Sequence, residues 1–362
     1  MSLDSQTLLE SASAWIEGHA DFFDPRNRAP EHQLSYLKAF DELCLLAILR
    51  CRSNNAAYIS DRMLEHCKAI LSATPIAEVF ISHLEHFQLL ALPAALGRHF
   101  GQDNLSTLVF SYLPYLPLLS SERQPHRALD VGYCLRILQP PGEIEGTPGM
   151  GQLARFEAGA AAVSNLSFLP HPALSTLHDF YSLTHNIMFA TDFGEVGIGK
   201  VFPGLDRERT QTVIELAILR FLCERNLDIV AELVWCLQML DMLSSPVAAL
   251  GLLTIFGALK HAGYLPGPEV RNGSQVEPAH IEVHANYHAT LLAIATIASC
   301  DSDGLKSSLD ADRLGGLKLQ GFYDVGKVLH ECAHAHPLCR PELIARLDGM
   351  IEANPYLKVL CR

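Results

Sequence analysis

The chain has no CxxC pair, no run of basic residues and no uninterrupted apolar stretch of membrane-spanning length. Each absence excludes a class. Without paired cysteines, a zinc ribbon or a thioredoxin-like redox motif has no basis, and the ten cysteines, scattered singly, read as reduced thiols within helices. Without clustered Lys and Arg, and with a formal charge of −13 over 362 residues, nucleic acid is not an expected partner, because phosphate neutralisation needs concentrated positive charge. The most apolar stretch, residues 247–259, is interrupted by Gly251 and Gly257 and falls short of the roughly 20 residues a membrane helix needs. The N-terminus lacks a basic region ahead of an apolar core, so it does not read as a signal peptide, and the expected location is the cytoplasm.

Catalytic motifs are equally scarce. There is no G-x-S-x-G elbow and no glycine-rich loop ending in Gly-Lys-Ser/Thr, and no Glu follows His284, so the His284–His288 segment is not the H-E-x-x-H arrangement of a zinc protease. Gly194-Glu-Val-Gly197-Ile-Gly199 follows a helix rather than a strand and reads as a turn. Asp301-Ser-Asp303-Gly304 opens like a calcium loop but lacks its glycine at the sixth place and its closing Glu. No fixed-period repeat is evident, which argues against a consensus solenoid.

Leucine and alanine at helical spacing fill most of the chain, and β-branched runs are few. The pattern predicts an all-α protein with helices near 4–20, 31–52, 60–73, 76–99, 103–118, 123–138, 153–164, 172–192, 207–224, 227–243, 246–263, 279–299, 322–335 and 340–353. Antiparallel pairs of such helices close into an α/α ring or stack as an irregular helical-repeat array, and both arrangements stay open at this point. The breaker segment 139–151 separates an N-terminal helical region, 1–138, from a C-terminal region, 152–362, expected to carry the site. It is either a linker or a surface loop within one continuous domain.

Polar chemistry collects on two predicted helices. In the first, His178, His185 and Asp192 recur every seven residues, with Tyr181 four before His185, making a polar stripe on an apolar helix. In the second, His284 and His288 stand at i and i+4, roughly 6 Å apart, a spacing that lets two imidazoles share one metal ion. A plainer reading leaves His280 and Glu282 facing water and buries only His288. A third group, His330, His334 and His336, reads as imidazoles at a helix end before Pro337. Glu42, Glu215 and Glu232 sit among apolar residues, where a carboxylate needs a partner; a histidine or Lys38 is the expected one.

The strings T-H-N-I-M-F-A-T-D-F-G (residues 184–194) and N-Y-H-A-T-L (residues 286–291) resemble the signatures of an uncharacterised family of bacterial helical proteins associated with specialised-metabolite or modified-peptide gene clusters. The resemblance covers most of the chain, including the helix with Lys38 and Glu42. It implies no activity, but it singles out His185, Asp192, Tyr287 and His288.

Together these features lead us to expect an enzyme of specialised metabolism acting on a small molecule or peptide. His185, His284 and His288 are the candidate ligands of zinc or iron, and Tyr181, His185, Asp192 and Tyr287 the candidate catalytic groups. A non-catalytic helical-repeat module that binds a peptide or partner protein is the first alternative. A cofactor-free, terpene-cyclase-like enzyme is the second. The apolar helices leave a homodimer open, and no heptad pattern marks a face for it.

Overall fold

The structure is a computed structural model that describes residues 5–116, 118–119, 123–138, 150–243, 245–268 and 276–300. Those residues contain fourteen α-helices, joined by turns and short 3-10 segments, and no strand. The protein is all-α. The predicted helices at 322–335 and 340–353, the His330 group, and the Asp301 and Asp310 loops lie outside the described residues.

The chain divides into two compact units, the first from residues up to Ala162 together with Ala258–Ser299, the second from Val163–Gly257 together with residues from Cys300 onward. The first unit holds α1 (Ser5–Gly18), α2 (Pro30–Ser53), α3 (Asp61–Ser72), α4 (Pro75–Ser82), α5 (Gln88–His99), α6 (Asn104–Tyr112), α7 (Pro125–Leu138) and α8 (Met150–Ala162). The second holds α9 (Leu177–Ala190), α10 (Ile198–Val201), α11 (Arg207–Cys223) and α12 (Leu227–Met239). Helix α13 (Pro246–Ala262) contributes residues to both, and α14 (Ile281–Ser299) returns the chain to the first unit.

Helix α2 organises the first unit. Pro30 in its first turn supplies a helix-ready φ, and Asn54 ends it in the left-handed region at φ 53°. Nearly all its sides are apolar, so it is buried against α5, against α14 and against the 3-10 turn Ala20–Phe23. Phe22 and Phe23 from that turn and Tyr36 and Phe40 from α2 are fully enclosed. Burying each such ring contributes roughly 2–3 kcal/mol.

The segment predicted as one helix at 76–99 is divided: α4 stops at Ser82, a 3-10 turn spans Leu84–His86, and α5 begins at Gln88. Pro93 lies inside α5 rather than at the break. Proline costs a helix one hydrogen bond and crowds the preceding turn, and two buried side chains repair the ladder beside it. The Asp41 carboxyl accepts from the Leu92 N–H, and the Cys134 thiol donates to the Gln88 carbonyl at 3.8 Å. Asp41 is thereby assigned a structural task.

In the second unit the polar ends of helices are satisfied locally. Thr176 and Asp179 form a capping box at α9, with Thr176 N–H on Asp179 Oδ2 at 2.7 Å, while Asp206 and Asn226 cap α11 and α12. The predicted helix 172–192 is correspondingly shorter, and Pro172 lies ahead of it rather than in its first turn. Helix α12 is buried on almost every side, packing against α9 and α11 through residues such as Leu233 and Trp235. Gly251 of α13 is required by close approach: a Cβ there would sit 2.6 Å from Val234 Cγ2.

Candidate functional site

Two polar clusters emerge, one in each unit. In the first, α2 and α14 pack so that Lys38 and Glu42, one turn apart, meet the histidine face of α14. Gly267, in the segment before α14, lies so near that helix that a Cβ would collide with the Ala285 carbonyl; its N–H donates to Asn286 Oδ1 at 3.0 Å. This clamp and the Phe22 ring, 5.2 Å from the Tyr287 ring, fix the rotation of α14 about its axis.

Glu42 Oε2 lies 2.8 Å from His288 Nδ1, and Glu42 Oε1 lies 3.6 Å from Lys38 Nζ. Tyr287 also donates to Glu42. Burial works to raise the Glu42 pKa, but the charges of His288 and Lys38 and these two hydrogen bonds outweigh it and lower the pKa to about 2. The carboxylate is therefore ionised and accepts the Nδ1 proton of His288, which directs the other ring nitrogen, Nε2, to act as base or ligand. His284 stands one turn before His288. Burial pushes its pKa down, the Lys38 charge adds to this, and Glu42 opposes both, so the ring is held neutral. Its Nδ1 is buried with no hydrogen-bond partner among the described residues.

His280 departs from the plainer reading of this segment. It sits in the 3-10 turn Pro278–His280 and does not face water: Nδ1 meets the Tyr36 hydroxyl at 2.8 Å and Nε2 meets Asp21 Oδ2 at 3.1 Å. With both nitrogens engaged it braces the turn.

The second cluster is the seam between α9 and α12. Asp228 and Glu232 stand one turn apart on α12, 3% and 1% exposed, and each offers a carboxylate oxygen within 4.8 Å of the other's. Tyr181 donates to Asp228 Oδ2 at 2.5 Å, Thr184 donates to Glu232 Oε2, and His185 Nε2 lies 3.9 Å from Glu232 Oε1. The spacing matches because residues at i and i+4 on α9 meet residues at i and i+4 on α12. Burial, and then the charges of Asp228 and Glu232, drive the Tyr181 pKa far upward, so Tyr181 serves as a hydrogen-bond donor and not as a base. His185 is flanked by the Tyr181 and Phe189 rings at 6.4 and 5.8 Å. Beside it, Asn186 is 1% exposed, and neither its Oδ1 nor its Nδ2 has a partner among the described residues.

The polar stripe predicted on α9 is thus only partly assembled. Tyr181 and His185 face the seam, His178 is exposed, and Asp192 lies beyond the helix. Thr191 ends α9 by bonding back to the Ile187 carbonyl at 2.7 Å, and Asp192 and Phe193 then take φ of 49° and 55°. A seven-residue helical spacing has no meaning across that turn. Of the isolated acids, Glu42 and Glu232 each stand near a histidine as expected, whereas Glu215 is met by Gln211 at 2.7 Å. The residue that sequence reasoning passed over is Asp228. Its signal was its position four before Glu232, hidden because an acid in a helix's first turn is ordinarily explained by the helix dipole.

By residue, His284, Tyr287 and His288 belong to the first unit, and Tyr181, His185 and Asp192 to the second. A family model described as a domain of unknown function (DUF6895) matches residues 9–298, and the chain belongs to that family. No curated protein and no solved structure matches it.

Proposed function

We propose that this member of the DUF6895 family is an enzyme acting on a small molecule or peptide, with a divalent metal ion held at the α9–α12 seam by Asp228 and Glu232. The observation that carries this reading is the pair of enclosed carboxylates one helical turn apart. Two buried acids side by side are costly unless a proton or a cation relieves them, and the hydroxyls of Tyr181 and Thr184 bring hydrogen bonds but no charge. Carboxylates with an imidazole form a donor set suited to zinc or iron, and His185, beside Glu232, is the imidazole of this unit. When bound, such an ion would polarise a substrate oxygen or activate water or oxygen. Tyr181 would orient substrate or ligand as a donor, and in the first unit the Glu42–His288 pair has the form of a general base with its orienting carboxylate. Specialised metabolism is the setting the sequence resemblance implies.

A second reading has its own support: the same hydroxyl bonds to Asp228 and Glu232 suit a metal-free, hydrogen-bonded pair in the core of a peptide-binding helical module. Elemental analysis of full-length protein purified without chelator or a His-tag separates the two. Near-stoichiometric zinc or iron, lost in Glu232→Gln and Asp228→Asn, supports the metal enzyme. Absence of metal, together with variants as stable as the parent, removes it in favour of the binding module.

A further inference from the structure

Within the second unit, the segment 169–173 and the first half of α11 border a cavity of about 220 Å³, and none of Tyr181, His185, Asp228 and Glu232 lines it. We propose that it binds a small carboxylic acid built on one aromatic ring or a short alkyl chain, with the apolar body in the hollow and the carboxylate on Arg209. Leu169, Pro170 and Ala173 from the segment and Val213 and Leu216 from α11 supply the apolar walls. The volume falls below the roughly 300 Å³ at which pockets for drug-sized ligands begin, so a single ring or short chain is the body that suits it. Phe168, the residue before this segment, is 69% exposed, so apolar surface continues outward along the chain.

Arg209, Val213, Leu216 and Arg220 recur at i, i+4, i+7 and i+11 and so share one face of α11. The two arginines on that face differ. Arg220 donates from Nη1 to the Pro172 carbonyl at 3.0 Å and to the Ser175 carbonyl at 2.7 Å, which ties the segment to the helix. The segment is also braced from within: the His171 N–H donates to Ser175 Oγ at 2.9 Å and the Ala173 N–H to His171 Nδ1 at 3.2 Å, while Pro170 and Pro172 fix their own φ. The hollow is therefore formed before any ligand arrives, which lowers the cost of binding. Arg209 is exposed, and its guanidinium has no hydrogen bond or ion pair among the described residues. The Asp206 carboxylate, three residues before it, accepts the Arg209 backbone N–H at 3.1 Å as the cap of α11. A cation in the first turn of a helix opposes the dipole, which favours acids there, such as Glu208. Compensation of a helix end thus explains Arg220, in the last turn, and leaves Arg209 unexplained. The competing explanation is a solvated arginine beside an imperfectly packed joint, and it predicts no saturable ligand.

The test is calorimetric titration of the full-length protein with 3-phenylpropionate, hexanoate, 3-phenylpropanol and acetate, repeated on Arg209→Gln and on Val213→Phe, which fills the hollow. Melting temperatures confirm that each variant folds; Ala173→Val replaces Val213→Phe if the latter does not. Saturable binding of phenylpropionate or hexanoate, weakened at least about fivefold in the charge variant and in the filled variant, is the expected result. Absence of saturable binding by either acid up to about 10 mM overturns the proposal. Unchanged affinity in the filled variant places the ligand elsewhere, at the seam metal for example, and overturns the site. Unchanged affinity in Arg209→Gln, phenylpropanol bound as tightly as phenylpropionate, or acetate bound as tightly as hexanoate overturns the ligand class.

Discussion

Glu42 in the first unit and the Asp228–Glu232 pair in the second are acids enclosed by helices, yet their surroundings differ in kind. Glu42 faces a cation, Lys38 from its own helix, and the imidazole of His288 across from it. Among the described residues, Asp228 and Glu232 face hydroxyls, from Tyr181 and Thr184, with one imidazole 3.9 Å from Glu232. A carboxylate supplied with positive charge is ionised and helps hold the fold. The adjacent pair is instead the place the proposed metal ion would occupy. The comparison teaches that burial alone does not mark a functional acid; the charge of its partners does.

The largest effect should come from Glu42. Replacing it with Ala removes the acceptor of His288 and Tyr287 and should cost about 3 kcal/mol at pH 7, measured by urea denaturation. Because its folded pKa is lowered from 4.5 to about 2, its contribution is fully present above pH 4.5 and is lost as pH falls through 2. The parent should therefore lose up to about 3 kcal/mol across that window, and Glu42→Gln should show a flatter profile. A parent profile as flat as the variant's would erase the contrast between the two clusters.

Gly251→Ala tests the second cluster through its packing. The added methyl must displace Val234 on α12, at a cost of about 1–3 kcal/mol in denaturation. Metal affinity at Asp228 and Glu232 should weaken with it, whereas an unchanged affinity would detach that pair from the position of α12. Asp130 supplies the opposite sign within the first unit. Burial raises its pKa to about 6 against the partial relief of Arg127 and Cys134. The folded state holds the proton longer than the unfolded chain does, so stability falls as pH rises from 3.8 through 6. Asp130→Asn should stabilise the protein above pH 6 by on the order of 1–2 kcal/mol, with no gain below pH 4, as read from thermal melts at the two pH values. The smallest effect is expected at Thr184→Val, where loss of one hydroxyl bond to Glu232 should cost about 1 kcal/mol and leave the Glu42 pH profile unaltered.

Much of this was legible in the sequence, for identifiable reasons. Helices such as α2, α11 and α14 follow from apolar spacing because each is long and its ends carry ordinary stop signals. The division between α4 and α5 was not, because the 3-10 turn Leu84–His86 carries no glycine or proline to mark it, while the one proline of the segment past Pro75, Pro93, lies inside α5 with Asp41 and Cys134 from α2 and α7 bonding to its ladder. The seam suffered similarly. Tyr181 and His185 could be picked out as one face, but Asp192 was carried along by a periodicity that ended at Thr191. Asp228 gains its meaning only when α9 lies against α12. Local pattern locates helices; partners arriving from distant sequence decide which polar residues on them matter.

The Glu42–His288 pair joins residues 246 positions apart, and residues 163–257 of the second unit lie between them. During synthesis, α2 leaves the ribosome long before the helix that completes its surroundings. The first unit must wait with a charged carboxylate and an apolar face uncovered until α14 emerges. A nascent chain stalled or cut near residue 260 would therefore hold the first unit without α14 and without the partner of Glu42. The late closure makes the emergence of residues 281–299 the step at which the first unit becomes complete.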